Sequence, residues 1–546
     1  MNIKKRGRSA LAGLVAAGAA FALALGGGAV ANAASGDADS PLILPGTGGA
    51  PITGTVTVHK HEQPDTAGDA ANGLPQAVTS PTIAGVEFTA QQVESVLVDA
   101  ETVTFDLTTN KGWQNASKLD YNAATNSWTY EDVAVTSVAF GSKVVRTTGT
   151  SGAYAPAVFA DLPVGLYHFA ETAYPANVTP SVPWVMTVPL THPTDLNKWL
   201  YDINVYPKNS TTNIEKTVED SAGVKIGDPV TWTIKADIPR TANPGFTGGD
   251  PSADNLEFLA PSKYLITDQL DARLALQTVT VSLIGVTGVT LDAGDYTVLP
   301  NPIPGLGSNL GQNVQVDFTP AGLAKLGLAG STAGAQVQVV IGTTVASMGT
   351  GETAGIIQNK AILFPNKSTV EGIPSDIVES KWGDILIKKV DASNNTVLVE
   401  GAVFSVFVSK EAAEAGTDPI AIGSGGTTKF TTGANGEVRI SGLRYSAWAD
   451  GKELTEDDPD YRTYWLVEVK SPAGYELLAE PVEVIVDSAD TLVDVTQIEN
   501  APANGGFELP LTGGMGTGVL TLAGISILAA VMLEARSRRD SELAAE

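Results

Sequence analysis

The chain has no cysteine among its 546 residues. Disulfides, thiolate metal centres and cysteine nucleophiles are therefore excluded, and any covalent stabilisation must use other chemistry. Histidine is nearly as scarce, with four residues, His59, His61, His168 and His192. Only His59 and His61 stand close. Their i,i+2 spacing puts them on one strand face, which permits a metal site but equally a solvated edge. No metal-spaced cluster accompanies them, and neither a metal nor another cofactor is called for. Positive charge is also short: Lys and Arg total 33 against 60 Asp and Glu, a formal net charge of -27. That balance argues against nucleic acid as a partner and for a soluble, self-repelling surface. There is no G-x-S-x-G elbow and no P-loop. Carboxylates are common enough to pair by chance, so a secreted glycosidase has no specific support, and no enzymatic turnover is expected.

Long apolar runs are confined to the two ends. Lys4, Lys5, Arg6 and Arg8 precede an Ala/Leu/Gly-rich run from Ala10 to about Val30, broken at Gly26 to Gly28 and closed by Ala31-Asn32-Ala33. A basic start, an apolar centre and a small-x-small ending form a signal peptide, here residues 1–33, followed by a leader over 34–53. At the other end, Leu509-Pro510-Leu511-Thr512-Gly513 precedes an apolar stretch from Val519 to Leu533 and then Arg536, Arg538 and Arg539. The stretch is short for a membrane span, although the Gly-rich lead-in extends it. The basic tail would stay inside the cell. An LPxTG pentapeptide, a span and a basic tail in that order resemble the cell-wall sorting signal cleaved by sortases, here over 509–546. Leu44-Pro45-Gly46-Thr47-Gly48 spells the same pentapeptide, but no span follows it.

Between the ends, helical periodicity is rare. Short alternating runs such as Thr55-Val56-Thr57-Val58, Thr231-Trp232-Thr233-Ile234 and Val482-Glu483-Val484-Ile485-Val486 are separated by Gly/Pro/Asn/Asp clusters. This predicts an all-β fold of tandem immunoglobulin-like sandwiches, with small helical inserts such as Ser409 to Ala415. Roughly 480 residues between the processing points make about three domains. The joints place them at 54–209, 210–378 and 383–500, with a linker over 501–508. Joints this short predict an elongated, fairly stiff rod.

The first domain ends in Trp199-Leu200-Tyr201-Asp202-Ile203-Asn204-Val205-Tyr206-Pro207-Lys208. This resembles the pilin motif W-x-x-x-V-x-V-Y-P-K of Spa-type major pilins, the shaft subunits of sortase-assembled pili on Gram-positive bacteria; Ile203 is the only departure. The resemblance implies that Lys208 attacks the acyl-sortase intermediate formed at Thr512 of another subunit. Ile203, Val205 and Pro207 alternate along one apolar face, which puts Tyr206 and Lys208 on the other, with Lys208 exposed to an incoming acyl-enzyme.

In the third domain, Tyr464-Trp465-Leu466-Val467-Glu468-Val469-Lys470-Ser471-Pro472-Ala473-Gly474-Tyr475 resembles the pilin E-box, Y-x-L-x-E-T-x-A-P-x-G-Y, with Val469 and Ser471 as departures. Tyr464, Leu466 and Glu468 share a face. Ile385, Ile387 and Lys389 share a face of the opening strand, and Ile498 and Asn500 share one of the closing strand. The trio resembles the intramolecular isopeptide sites of Cna-B-type domains. In that chemistry a desolvated neutral lysine attacks the asparagine amide, a protonated acid polarises the carbonyl and shuttles protons, and ammonia leaves. The second domain repeats the pattern with Lys216, Asp268 as the acid and Asn359, resembling a Cna-A-like domain. The first has Lys60 after Val56-Thr57-Val58-His59, half an E-box at Tyr167-His168-Phe169-Ala170-Glu171-Thr172, and Asn209. Its P-x-G-Y half is replaced by Pro175-Ala176-Asn177-Val178, which leaves open whether the Lys60–Asn209 bond forms with Glu171.

The resemblance implies as partners a pilin-specific sortase, identical subunits in a covalent polymer, minor pilins at tip and base, and peptidoglycan reached through a housekeeping sortase. The product would be a secreted, wall-anchored surface pilus. A monomeric wall-anchored adhesin built from the same sandwiches is the alternative, and it has no need of the motif ending at Lys208.

Overall fold

The protein is described by a computed structural model. It covers residues 52–503 apart from 65–70, 124, 150–153, 306, 352, 367–371, 424 and 488–494, and beyond these only 42–43, 527–534 and 536. The signal-peptide run, the pentapeptide at Leu44 to Gly48, and Leu509, Pro510, Leu511, Thr512 and Gly513 lie outside the described residues. Among those described, no helix is long and apolar enough to cross a membrane.

The chain forms two compact units, and strands dominate both. The first comprises Met1–Gly383, Gly442–Arg462 and Asp487–Asp490. At its start, strand Thr53–Val58 alternates half-buried and buried residues. It lies between the antiparallel Ala157–Pro163 and the parallel Asp202–Val205. Facing it is a second sheet, with Gly165–Ala173 between Trp184–Val188 and Glu87–Val98. Val56, Val58, Phe88, Phe159 and Phe169 fill the space between. Phe169 stacks on Trp184 at 5.3 Å and meets Phe159 edge-on at 5.5 Å, an arrangement aromatic quadrupoles favour. The opening strand ends at Val58. His61–Glu62 resumes in a different sheet, parallel to Lys208–Thr211, so Lys60 sits in the break rather than within the strand.

Further along the same unit, Ile214–Glu219, Pro229–Asp237, Gln336–Val345 and Leu274–Ile284 form one sheet. Tyr296–Leu299, Asn313–Phe318, Leu265–Gln269, Ala361–Phe364 and Ile373–Pro374 form another. Strict alternation along Gln336–Val345 sends Val337, Val339 and Ile341 inward, as a period of two requires. Trp232 is fully buried, and its indole N–H donates to Thr343 Oγ1 at 2.9 Å. Helices Asn110–Ala116 and Pro320–Ala329 were not foreseen, whereas Lys410–Ala415 matches the anticipated insert with Ser409 as its N-cap.

Segment Gly442–Arg462 packs into this first unit. Asp450 Oδ1 accepts from the Asp220 and Ser221 amides at 2.8 and 3.0 Å, and Asp220 Oδ1 accepts from the Asp450 amide at 2.7 Å. Arg444 is completely buried and donates to the carbonyls of Gly223, Trp448 and Asp460. Gly442, at φ +88°, gives its carbonyl to the Ile226 amide, and a Cβ there would lie 2.7 Å from Ile226 Cγ1. Glycine alone meets both demands.

In the second unit, Leu386 to Asp391 runs parallel to the closing strand Val495–Asn500. A separate sheet orders Phe430–Thr431, Val403–Phe407, Tyr464–Lys470 and Val482–Val484.

The paired aspartates make a direct test. Asp450→Ala leaves two partly buried amides without acceptors and should cost about 1–3 kcal/mol. Thermal unfolding should show that loss, whereas alanine at the exposed Asp457 should leave the transition unmoved.

Candidate functional site

The parallel pairing of Leu386–Asp391 with Val495–Asn500 brings Lys389 beside Ile498 in register, so the inward faces of the two strands meet. Lys389, Glu468 and Asn500 are all buried there. Lys389 Nζ donates to Asn500 Oδ1 at 2.5 Å and lies 3.9 Å from Glu468 Oε1. Asn500 Nδ2 donates to both Glu468 oxygens at 2.9 Å, and the Leu478 amide donates to Oε2 at 3.1 Å. Phe404 lies beneath the amine, 5.9 Å from Nζ to the ring centre. Desolvation pulls the Lys389 pKa down to about 8, with Glu468 and Glu499 opposing. Loss of solvent penalises only the charged amine, so the neutral nucleophile is accessible near physiological pH.

In the first unit, Lys216, Asp268 and Asn359 meet between the two middle sheets, at 5%, 1% and 2% exposure. Lys216 Nζ pairs with Asp268 Oδ2 and lies 5.6 Å from the Trp232 ring centre. Burial raises the Asp268 carboxyl and lowers the Lys216 amine. The Asn359 amide stands close enough to Asp268 to favour its ionised form, yet among the described residues neither of its polar atoms, nor Asp268 Oδ1, makes a hydrogen bond of good geometry. A buried amide with both ends unsatisfied is costly.

Lys60 and Asn209 converge on Glu171 in the first domain-sized part of the unit. Lys60 Nζ donates to Glu171 Oε1 at 2.5 Å, and Asn209 Nδ2 donates to Oε2 at 2.6 Å. Ser181 Oγ donates to Glu171 Oε1 at 2.5 Å and accepts from Lys60 at 3.4 Å. Ser181 has no counterpart in the sequence reading; it stands in Thr179-Pro180-Ser181-Val182-Pro183, where nothing marks a site. Burial holds Lys60 at about 8 against the pull of Glu171. Each of the three trios named from sequence is thus brought together.

Lys208 departs from expectation. It is half-buried, not exposed, and its Nζ is enclosed without a hydrogen-bond partner among the described residues. The single alternating strand expected through Lys208 is broken: Asp202–Val205 ends in one sheet and Lys208–Thr211 begins in another, and the surroundings of Tyr206 and Lys208 are covered. Tyr206 is only 5% exposed, stacks on His59 at 4.7 Å, and accepts the Gln76 amide on its hydroxyl at 2.7 Å. Lys208 Nζ lies 5.7 Å from the Tyr206 ring centre. Desolvation first, and the charge of Lys60 second, pull its pKa down to about 8. His59 Nε2 donates to Asn204 Oδ1 at 2.9 Å and His61 Nδ1 donates to the Ser80 carbonyl at 2.7 Å. No group of three or more metal-ligating side chains occurs among the described residues.

Residues 51–210 match the family model for the Gram-positive pilin subunit D1, N-terminal domain, and residues 383–501 match the SpaA model, a prealbumin-like fold domain. The chain is 31% identical over 529 residues to fimbrial subunit type 1 of Actinomyces viscosus, covering 89% of this chain and 90% of that one. It is 30% identical over 525 residues to fimbrial subunit type 2 of Actinomyces naeslundii, covering 87% of each. Among solved structures it is similar to the full-length major pilin SpaD of Corynebacterium diphtheriae, at 25% identity and a TM-score of 0.57, covering 82% of this chain and 97% of that one.

Competitive acetylation across a pH range, read by peptide mass spectrometry, should give Lys208 a labelling midpoint near 8. A midpoint at the ordinary lysine value of about 10.4 would contradict the desolvated environment.

Proposed function

The chain belongs to the fimbrial subunits of Gram-positive bacteria and is a structural subunit of a pilus shaft; from that premise we propose that sortase joins Thr512 of one subunit to Lys208 of the next, and that each domain closes its own Lys–Asn isopeptide bond. The second half is carried by the threefold recurrence of one grouping, in which a buried amine, a buried amide and a carboxyl side chain are brought together. In the third domain, Lys389 would attack the Asn500 amide carbon while Glu468 takes up and returns protons, and ammonia would leave. Lys216, Asp268 and Asn359 would do the same in the middle domain, and Lys60, Glu171 and Asn209 in the first. Each acid acts once, so this is self-modification and not turnover.

The placement of the bonds favours a load-bearing role. In the third domain the joined residues lie on the first and last strands, 111 residues apart. Tension could pass through the bond without peeling the sheet. For the linkage between subunits, the enclosed Lys208 amine at about pKa 8 is a better nucleophile near neutrality than a solvated lysine. Lys208 also separates the shaft reading from that of a lone wall-anchored adhesin, which needs no acceptor amine. Secretion, attachment to peptidoglycan through a housekeeping sortase, and minor pilins at tip and base belong to the same proposal.

Two results follow. Lys208→Arg keeps the charge but cannot form the amide, so surface extracts should lose the high-mass ladder and retain monomer; a persisting ladder would refute linkage at Lys208. Glu468→Ala should leave Lys389 and Asn500 unjoined and lower stability by about 5 kcal/mol, by analogy with closing a comparable loop with a disulfide. Urea unfolding should register that loss.

A further inference from the structure

The pair His59/His61 is not used by the chemistry so far, yet both rings lie against Tyr206, the ring that the acceptor lysine also approaches. In the parallel ladder between His61–Glu62 and Lys208–Thr211, His61 is the register partner of Lys208. The two side chains therefore leave the same face of adjacent strands. The His61 ring lies 6.3 Å from Tyr206 and 6.4 Å from Tyr154, centre to centre, and Lys208 Nζ reaches over the same Tyr206 ring at 5.7 Å. Nδ1–H of His61 is committed to the Ser80 carbonyl at 2.7 Å. This fixes the tautomer and leaves Nε2 as the basic nitrogen.

The enclosed Lys208 ammonium presents a problem of proton removal. Its Nζ touches neither solvent nor any hydrogen-bond acceptor among the described residues, so a proton leaving it has no ready destination. The other groups on this face cannot serve. Lys60 Nζ is committed to Glu171 and, once joined to Asn209, has no basic lone pair, and the Tyr154 hydroxyl already accepts the Lys60 amide. The Tyr206 hydroxyl accepts from Gln76, and His59, which gives Nε2–H to Asn204, stacks on Tyr206 and lies before the strand break, bonded to Val205 and outside the ladder that pairs His61 with Lys208. Glu62 follows His61 along the strand and so points to the opposite face. We propose that His61 is the proton acceptor that readies Lys208 for acyl transfer, an inference that rests on the reading of Lys208 as the linkage lysine.

The Lys208 ammonium gives one proton to His61 Nε2, directly after side-chain rotation or through one water. The freed nitrogen pair attacks the carbonyl carbon of the sortase thioester. An N–C bond forms, the C–S bond breaks, and its electron pair goes to sulfur. The second proton leaving the nitrogen goes to that thiolate, and His61 releases its proton to solvent. Burial first, and then the charges of Lys208 and His59, lower the His61 pKa from its ordinary value against the hydrogen bond to Ser80, which keeps the acceptor empty near neutral pH.

The test uses the full chain as acceptor, a soluble peptide carrying Leu-Pro-Leu-Thr-Gly as acyl donor, and the pilus sortase. Transfer to Lys208 is divided at each pH by transfer to hydroxylamine, which cancels thioester formation and the sortase's own titrations. The wild-type ratio should level off below neutrality. His61→Asn preserves the donor to Ser80 and removes the base. Its ratio should fall about tenfold at pH 6.5 and then climb about tenfold per pH unit, as for an unassisted amine, until about 8. His61→Gln should follow it, and thermal unfolding of both variants should match wild type. An unchanged ratio would overturn the proposal, and so would a uniformly lower ratio with the wild-type pH profile, which would mark a structural role. If wild-type Lys208 takes no peptide while hydroxylamine does, the linkage reading itself falls.

Discussion

Three amines are held out of water beside an acid and an amide, and much of the surrounding structure exists to keep them there. A lysine on the inward face of a strand is unfavourable for stability as long as it is charged. Here the unfavourable placement is repeated: Lys389 over Phe404, Lys216 over Trp232, and Lys60 over Phe88. Each apolar floor removes solvent, and each acid stands beside the amine as a counter-group. A buried ion pair of this kind is weak as a stabiliser. As a reactant complex it is well arranged, because the same desolvation that makes the ammonium costly makes the neutral amine available.

Lys208 extends the same constraint to a fourth amine. It stands one residue before Asn209, so the chain that delivers the amide to Glu171 also places the acceptor lysine against Tyr206 and opposite His61. The break in the opening strand between Val58 and His61 makes this possible. It turns Lys60 inward toward Glu171 while passing His61 to the neighbouring ladder. One irregularity thus serves two amines with different fates, one facing an intramolecular amide and the other facing an external acyl group.

The trios were legible because alternation in a strand leaves few choices. Ile385, Ile387 and Lys389 must share a face, as must Ile214, Lys216 and Val218, and a lysine on such a face needs an acid. The all-β class was equally plain from the runs around Trp232 and Val484. What the sequence hid depends on contacts distant along the chain. The cover over Lys208 comes from Gln76 and Ser80, more than a hundred residues earlier, in a stretch with no regular pattern. Ser181 reaches Glu171 from a Pro-flanked loop. The docking of Gly442–Arg462 rests on reciprocal side-chain-to-amide bonds between Asp220 and Asp450, which no periodicity announces. Helix Pro320–Ala329 was obscured by its own glycines, although Thr319-Pro320 is a recognisable start.

The central claim is that these clusters are reactants and not merely buried ion pairs. Intact mass of the exported chain, followed by tandem mass spectrometry of its peptides, decides this most directly. The account predicts the loss of one ammonia per bond and branched peptides joining Lys389 to Asn500, Lys216 to Asn359 and Lys60 to Asn209. An unmodified mass, with all six residues recovered in linear peptides, would contradict it.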